Sequence, residues 1–389
     1  MNKKKLIIVG IIVIALGMIC GGVLGWKFIS HERRQGKKIS SLSKKQKELT
    51  AEIASLTNLI DELNGQLEAV QKDEEEFEGV YRKLKNGEDI KVAVIGDSIG
   101  AGCGASDYEH MWATKLIYWI QDTYNVKCDY VNPSLGGNTS YAGYVTSKLL
   151  DPEKSYDLAI ICYGQNDAQE GFSYCYEAII RSLYMGNEKC TIIPVLESSQ
   201  HTYTQKMVDI RNLADFYHLD YADTIAAFNA NPIGLWGLLA DGTHPNDDGH
   251  QVYFETVKAI IERGVDEEKG YIPMQTIPYN GGVDGFDSFT YLSKEQFTQI
   301  SDTVFEIEME PTWGIFGISR TLLPGSNSIN IYVDDELYIA DSVTSNLDYG
   351  VMKINGLNAG PTEIKGKVRI EFPDTEQVDA FNGLILTQG

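Results

Sequence analysis

Cysteine is scarce in this chain: there are six in 389 residues, and none has the spacing of a metal site. Five of them (Cys103, Cys128, Cys162, Cys175 and Cys190) follow the N-terminal apolar stretch, so at least one thiol stays unpaired within a single chain. A disulfide framework is not expected at this length, and most of the five read as small buried apolar residues. Phosphate-cradling glycine loops and HExxH zinc motifs are missing too. The stretch NDDGH, residues 246–250, lacks the alternating oxygen ligands of a calcium loop. No metal and no cofactor is expected. Basic residues are in deficit, with 33 Lys and Arg against 55 Asp and Glu and a net charge of -22. Eight of the basic residues fall within residues 1–38, beside one acidic residue, so the remainder is more acidic still. Such a body repels nucleic acid and anionic headgroups and suits a neutral or cationic partner.

LIIVGIIVIALGMICGGVLGW, residues 6–26, carries no charge and has the length of a bilayer-spanning helix. A cleaved signal peptide would have a shorter apolar core and a small-x-small site, which favours an uncleaved anchor. Cys20 suggests lipidation, but the bulky Ile19 before it argues against that. The flanking lysines and arginines, counted literally, put the C-terminal side inside; a large domain is exported largely regardless of such charge, and an external catalytic body is expected on functional grounds. Gly17, Gly21 and Gly25 share a helix face that would let two membrane helices approach.

A heptad seam follows. Leu42, Leu49, Leu56, Leu63, Val70 and Phe77 recur every seventh residue, with Ile39, Ile53, Ile60 and Leu67 at the companion positions, interrupted by Gln46 and Glu74. Isoleucine at a and leucine at d predict a parallel two-stranded coil over 39–85, and hence a homodimer.

From about residue 86 the pattern changes. IKVAVIG, VKCDYVN, YDLAIICYG and CTIIPVLE read as strands, and helix-like stretches alternate with them, ending in DGHQVYFETVKAIIER. This alternation predicts a parallel sheet covered on both faces over 86–265. Ligands of such sheets bind beyond the C-terminal strand ends, so polar residues directly after strands are candidates for chemistry. These are Gly96-Asp97-Ser98, the NPSLGG segment ending in Gly137, Asn166 in YGQND, and Asp241 with His244 in DGTHPNDDGH. A serine that attacks an acyl carbon needs a base of near-neutral pKa, which histidine provides. A carboxylate must orient the imidazole, and Asp241 can do so from three residues away. Backbone N–H groups at Ser98 and Gly137 and the Asn166 amide are candidate oxyanion donors.

In their order, these blocks resemble the SGNH (GDSL-type) hydrolases: Gly96-Asp97-Ser98, Asn132 to Gly137, Gly164-Gln165-Asn166-Asp167, and Asp241-Gly242-Thr243-His244-Pro245. The resemblance implies a flavodoxin-like three-layer α/β/α fold and esterase chemistry. Ser98 would be the nucleophile, His244 the base and Asp241 its orienter, with Ser98, Gly137 and Asn166 as the oxyanion hole. Gly100 departs from the family, in which many members carry Ser or Thr there. Gly96-x-Ser98-x-Gly100 also fits an α/β-hydrolase elbow, but that serine should follow several strands, with its acid and histidine in separate loops. Tyr141, Tyr144, Tyr163 and Trp236 lie near the motifs and could stack on a sugar or simply pack in the core. His110 and His250 read as packing or surface residues, and His201 and His218 lack metal-site spacing.

Residues 266–389 lose the helical signals and read as short strands, with Asp334-Asp335 as a hairpin turn. That predicts a β-sandwich of jelly-roll type, either a carbohydrate-binding or a packing module. The expectation as a whole is a membrane-tethered dimeric serine esterase acting on acylated, foremost O-acetylated, surface carbohydrate. A lysophospholipase or thioesterase and a non-catalytic surface scaffold are the competing classes.

Overall fold

The computed structural model describes residues 36–76, 78–149, 155–197, 201–281, 288–357 and 362–388. By internal contacts the chain divides into two units, Met1–Glu75 and Glu76–Gly389. In the first, helix α1 (Gly36–Glu76) carries the heptad seam. Leu42, Leu49, Leu56 and Leu63 are 52–60% exposed, so among the described residues nothing covers these four positions. The helix ends at Glu76, short of the residue 85 to which a coil was expected. Gly79, at φ 130°, precedes a separate helix α2 (Val80–Asn86), whose Val80, Tyr81 and Leu84 are buried in the core of the second unit. Among the described residues no helix is long and apolar enough to cross a membrane. Residues 6–26 lie outside the described residues, and with them Cys20 and the Gly17–Gly25 face.

The second unit is built on five parallel strands: β1 (Ile90–Gly96), β2 (Cys128–Val131), β3 (Leu158–Cys162), β4 (Thr191–Leu196) and β5 (Ala222–Asp223), in the order β2-β1-β3-β4-β5. This is the flavodoxin-like order. Along β1, side chains alternate between two apolar layers, as a strand's period of two requires. Val92 and Val94 pack with α2, α3 (Trp112–Tyr124) and a long helix, Asp247–Asp266. Ala93 and Ile95 pack with α4 (Ser140–Leu149), α5 (Phe172–Gly186) and α6 (Gln205–Tyr217). Helix α7 (Thr224–Ala230) follows β5, which makes the Asp247–Asp266 helix α8. Strand β1 pairs with β2 on one side and β3 on the other. The chain therefore reverses its winding at β1/β3, which opens a crevice beyond those two strand ends.

The remaining strands are antiparallel: β6 (Ser288–Ser293), β7 (Thr298–Ser301), β8 (Val304–Leu322), β9 (Gly325–Val333), β10 (Glu336–Ser345), β11 (Val351–Gly356), β12 (Thr362–Glu371) and, after the short helix α9 (Thr375–Asp379), β13 (Phe381–Gln388). The first half of β8 is flanked by β12 and β7, and its second half by β11 and β13. The long strand thus passes from one group of partners to another, giving a sandwich-like body around Phe316, Ile318, Ile331, Ile370 and Leu386. Asp334 and Asp335, at φ 49° and 67°, turn the β9–β10 hairpin. Positive φ at both central residues is what a two-residue hairpin turn requires.

Candidate active site

The site begins where β1 stops. The Asp97 N–H donates to the Cys162 carbonyl at the end of β3, and the Asp97 carboxylate turns back to accept the Ile99 N–H at 2.9 Å. The Ile99 carbonyl accepts the Trp112 indole N–H at 3.0 Å, which ties the nucleophile turn to α3. Ser98 is held between these fixed neighbours and is 7% exposed. At Gly100 a Cβ would stand 2.7 Å from Ser134 Oγ and 3.0 Å from the Gly96 Cα. The departure from Ser or Thr at this position is therefore structural: Ser134 fills the space a side chain would need.

His244 enters from the loop before α8. Its Nε2 lies 2.9 Å from Ser98 Oγ, across 146 residues of sequence. Its Nδ1 lies 2.7 Å from Asp241 Oδ2. The other Asp241 oxygen accepts the backbone N–H of Thr243 at 3.0 Å and of His244 at 2.8 Å. The His244 backbone N–H, and after it the His244 ring, holds the Asp241 carboxyl down at about 2. With a carboxylate at Nδ1, the tautomer that protonates Nδ1 is favoured, and Nε2 is left to accept the Ser98 hydroxyl.

Two further segments meet here. The Asn132–Gly137 loop is fastened by Asn132 Nδ2 to the Gly100 carbonyl at 3.0 Å and by the Leu135 N–H to the Gly96 carbonyl at 3.1 Å. Gly136 faces Ser98, and Gly137 sits at φ 71°, a left-handed conformation that favours glycine. Among the described residues, neither the Ser98 N–H nor the Gly137 N–H has an acceptor. The Asn166 amide, after β3, donates to Asp97 Oδ2 at 3.2 Å and to the Asn138 carbonyl at 3.0 Å. Both of its protons are thus engaged.

The aromatic candidates separate. Tyr163 is 1% exposed and belongs to the apolar layer under α5, so it packs and offers no stacking face. Tyr144 is buried likewise. Tyr141, also buried, lies against β8; a Cβ on Gly317 would stand 2.2 Å from its hydroxyl. It joins the hydrolase core to the β-domain and is not a sugar platform. Trp236 is 72% exposed, packs on the His201 ring at 5.5 Å between centroids, and lies 3.7 Å from where a Cβ on Gly242 would be. It stands open beside the Asp241–His244 loop. His250 is buried, its ring 3.2 Å from the Cys103 carbonyl, and burial pushes its pKa down to about 4. His110 pairs with Asp107 at the surface at 2.7 Å.

Three residues near the site were not singled out from the sequence. Glu197, directly after β4, is fully buried beside Asp97. An acid closing the apolar run TIIPVL was a local signal for it. Asn138 follows Gly137 and accepts the Ile354 N–H at 3.0 Å. Lys353 donates to the Gly137 carbonyl from β11. Nothing local marks that lysine, because its partner is 216 residues away. No cluster of His, Cys, Asp and Glu suited to a metal occurs among the described residues.

Residues 94–252 match the GDSL-like lipase/acylhydrolase family. No curated protein matches the chain. Among solved structures it is similar to a two-domain esterase active on acetylated mannans, crystallised with mannopentaose: 19% identity over 79% of this chain and 93% of that one, TM-score 0.63. A second crystal described as the same kind of esterase gives 18% identity, coverage of 79% and 94%, and a TM-score of 0.62. The acetylxylan esterase Axe2 from Geobacillus stearothermophilus is matched over 46% of this chain and 96% of its own, at 20% identity and a TM-score of 0.38. At such identities the two-domain likeness is one of fold, and it spans both the parallel sheet and the β-domain. Residues 94–252, with Ser98, Asn166 and His244 gathered at one end of the sheet, thus form a carboxylic ester hydrolase domain of the GDSL-like lipase/acylhydrolase family.

Proposed function

We propose that this protein is a serine esterase that removes acyl groups, O-acetyl foremost, from carbohydrate. The observation that carries the reading is the continuous relay from Ser98 Oγ to His244 Nε2, and from His244 Nδ1 to Asp241. His244 takes the hydroxyl proton as Ser98 Oγ attacks the ester carbonyl. The oxyanion of the tetrahedral intermediate accepts from the Ser98 and Gly137 N–H groups, and from Asn166 once it turns one proton away from Asn138 or Asp97. His244 then protonates the leaving sugar oxygen, which leaves an acyl-serine. Water, activated by the same imidazole, attacks this ester; the proton returns to Ser98 and the carboxylic acid departs. Carbohydrate is favoured for three reasons. The acidic body suits a neutral polymer, Trp236 offers an exposed ring beside the catalytic loop, and a neighbour of the same two-domain fold acts on acetylated mannans.

We propose also that residues 6–26 anchor the chain in a membrane with the hydrolase outside, and that the exposed leucine seam of α1 pairs with a second copy. The test is acetate release from acetylated mannan and xylan, with Ser98→Ala expected to reduce it by at least about 10³-fold. Turnover confined to long-chain acyl esters would move the assignment to lipid. Glycan binding with no turnover would remove it from the esterases.

A further inference from the structure

The outer edge of β11 lies against the oxyanion loop. Among the described residues strand β11 pairs with β8 along one edge only, with Lys353 opposite Arg320 and Ile354 opposite Ser319. On the other edge an unpaired strand would leave N–H groups in need of acceptors. The Ile354 N–H finds Asn138 Oδ1 at 3.0 Å, and Asn138 is 2% exposed. One residue earlier, the Lys353 ammonium donates to the Gly137 carbonyl. It also lies 3.5 Å from where a Cβ on Gly137 would be. The peptide joining Gly137 to Asn138 is therefore held from the β-domain at its carbonyl and at the next side chain.

That peptide sits between two proposed oxyanion donors. Gly137 contributes its N–H on one side. On the other, the Asn138 carbonyl holds the Asn166 amide at 3.0 Å. Gly137 at φ 71° has no side chain to restrict its backbone, so without an external hold the two donors can rotate apart. Lys353 is half-buried, and burial, helped by the Arg320 charge and opposed by the carboxyl of Asp167, holds its ammonium below the usual lysine range. Asp167 Oδ1 is itself bound by the Ser140 N–H at 2.8 Å and the Ser140 hydroxyl at 2.5 Å, at the start of α4. The cation thus lies within a fixed frame.

We infer that β11 is a working part of the active site, in which Lys353 and the Ile354 N–H are positioning groups that hold the Gly137 and Asn166 donors in register. The β-domain then sets the rate of the chemical step, and not only the affinity for substrate. The inference rests on the serine-esterase reading above, and its test is built to separate the two. In the full chain, Lys353→Met keeps the aliphatic stem and removes the ammonium, while Lys353→Arg restores a donor cation. Three quantities are measured: kcat and KM on p-nitrophenyl acetate and on acetylated mannan, the rate at which diethyl p-nitrophenyl phosphate phosphorylates Ser98, and the melting temperature. Lys353→Met is expected to lower both kcat and the phosphorylation rate by about 10-fold, with KM within about 2-fold and melting little changed. Lys353→Arg should recover most of the loss. Unchanged kcat and phosphorylation, a loss confined to KM, or a loss that follows melting and is not rescued by arginine each overturns the inference. A wild-type chain that is phosphorylated at Ser98 but cleaves no acetyl ester sinks the substrate assignment alone, and the phosphorylation rates still decide Lys353. A wild-type chain that reacts with neither ends both.

Discussion

The two oxygens of Asp241 have separate duties. Oδ1 closes the loop by accepting the Thr243 and His244 N–H groups, and Oδ2 faces the imidazole. Asparagine can keep the first set of bonds through its carbonyl, but it places an NH₂ against Nδ1. The imidazole must then carry its proton on Nε2, where it can no longer accept from Ser98. Asp241→Asn should therefore lower kcat by about 10²-fold or more with little change in melting temperature; equal activity would mean that Asp241 only shapes the loop. Beneath the nucleophile, Asp97 and Glu197 form a buried carboxyl pair. Burial first, and then the charge of Asp97, raises Glu197 well above its usual range. Burial likewise raises Asp97, but the Ile99 N–H opposes that shift. An unfolded glutamate loses its proton near 4.5 while folded Glu197 keeps it, so the native state holds the extra proton and loses stability as pH rises above that value. Glutamine has no proton to lose. Glu197→Gln should gain about 1–3 kcal/mol relative to wild type between about pH 5 and about pH 8, measured by urea unfolding. Parallel pH profiles for the two proteins would refute a raised pKa at folded Glu197.

Strand ends carry the chemistry, and this is why so much of the site was legible. The apolar run of β1 fixed a buried central strand, and Gly96-Asp97-Ser98 directly after it had to lie at the sheet's C-terminal edge. Asn166 after β3 and His244 before α8 follow from the same rule. Regular alternation with turn residues also made the β-domain and its Asp334–Asp335 hairpin readable. What was not legible depends on distance along the chain. Tyr141 and Tyr163 stand beside motifs in sequence, yet α4 turns Tyr141 toward β8, and the layer under α5 encloses Tyr163. Lys353 sits in an ordinary short strand, and only the docking of β11 gives it a neighbour at Gly137. At the N-terminal side, the heptad pattern, interrupted at Gln46 and Glu74, runs past Glu76, where α1 ends. Phe77 keeps the period, and Gly79 and the burial of Val80, Tyr81 and Leu84 are what reassign 80–86 to the hydrolase core.

Across the second unit, the two bodies share their packing to a degree that bears on how they unfold. Ile385 of β13 is fully buried in the same apolar layer as Tyr144, Ile161 and Ile179, and Tyr291 and Ile354 pack against that layer. The connection between the bodies is also fastened down. Glu177, buried on α5, accepts the Tyr217 hydroxyl, the Tyr279 N–H at 2.6 Å and the Asn280 N–H at 3.0 Å. Arg181 donates to the Gln275 carbonyl at 3.2 Å. Unfolding the β-domain alone would expose Tyr141 and Ile385 and would free the Gly137 loop from Lys353. The hydrolase left behind would carry an uncovered apolar face, a state disfavoured by about 25 cal/mol for each Å² exposed. Separate domains usually melt separately, but a shared core makes each the other's solvent shield. A chain beginning at Glu78 should therefore give one calorimetric transition, with van't Hoff and calorimetric enthalpies in a ratio near one. Tyr141→Ala, which empties the space over Gly317, should lower that single transition or split it into two. Two resolved transitions in the unmutated chain would show that the bodies unfold independently and that the shared layer does not couple them.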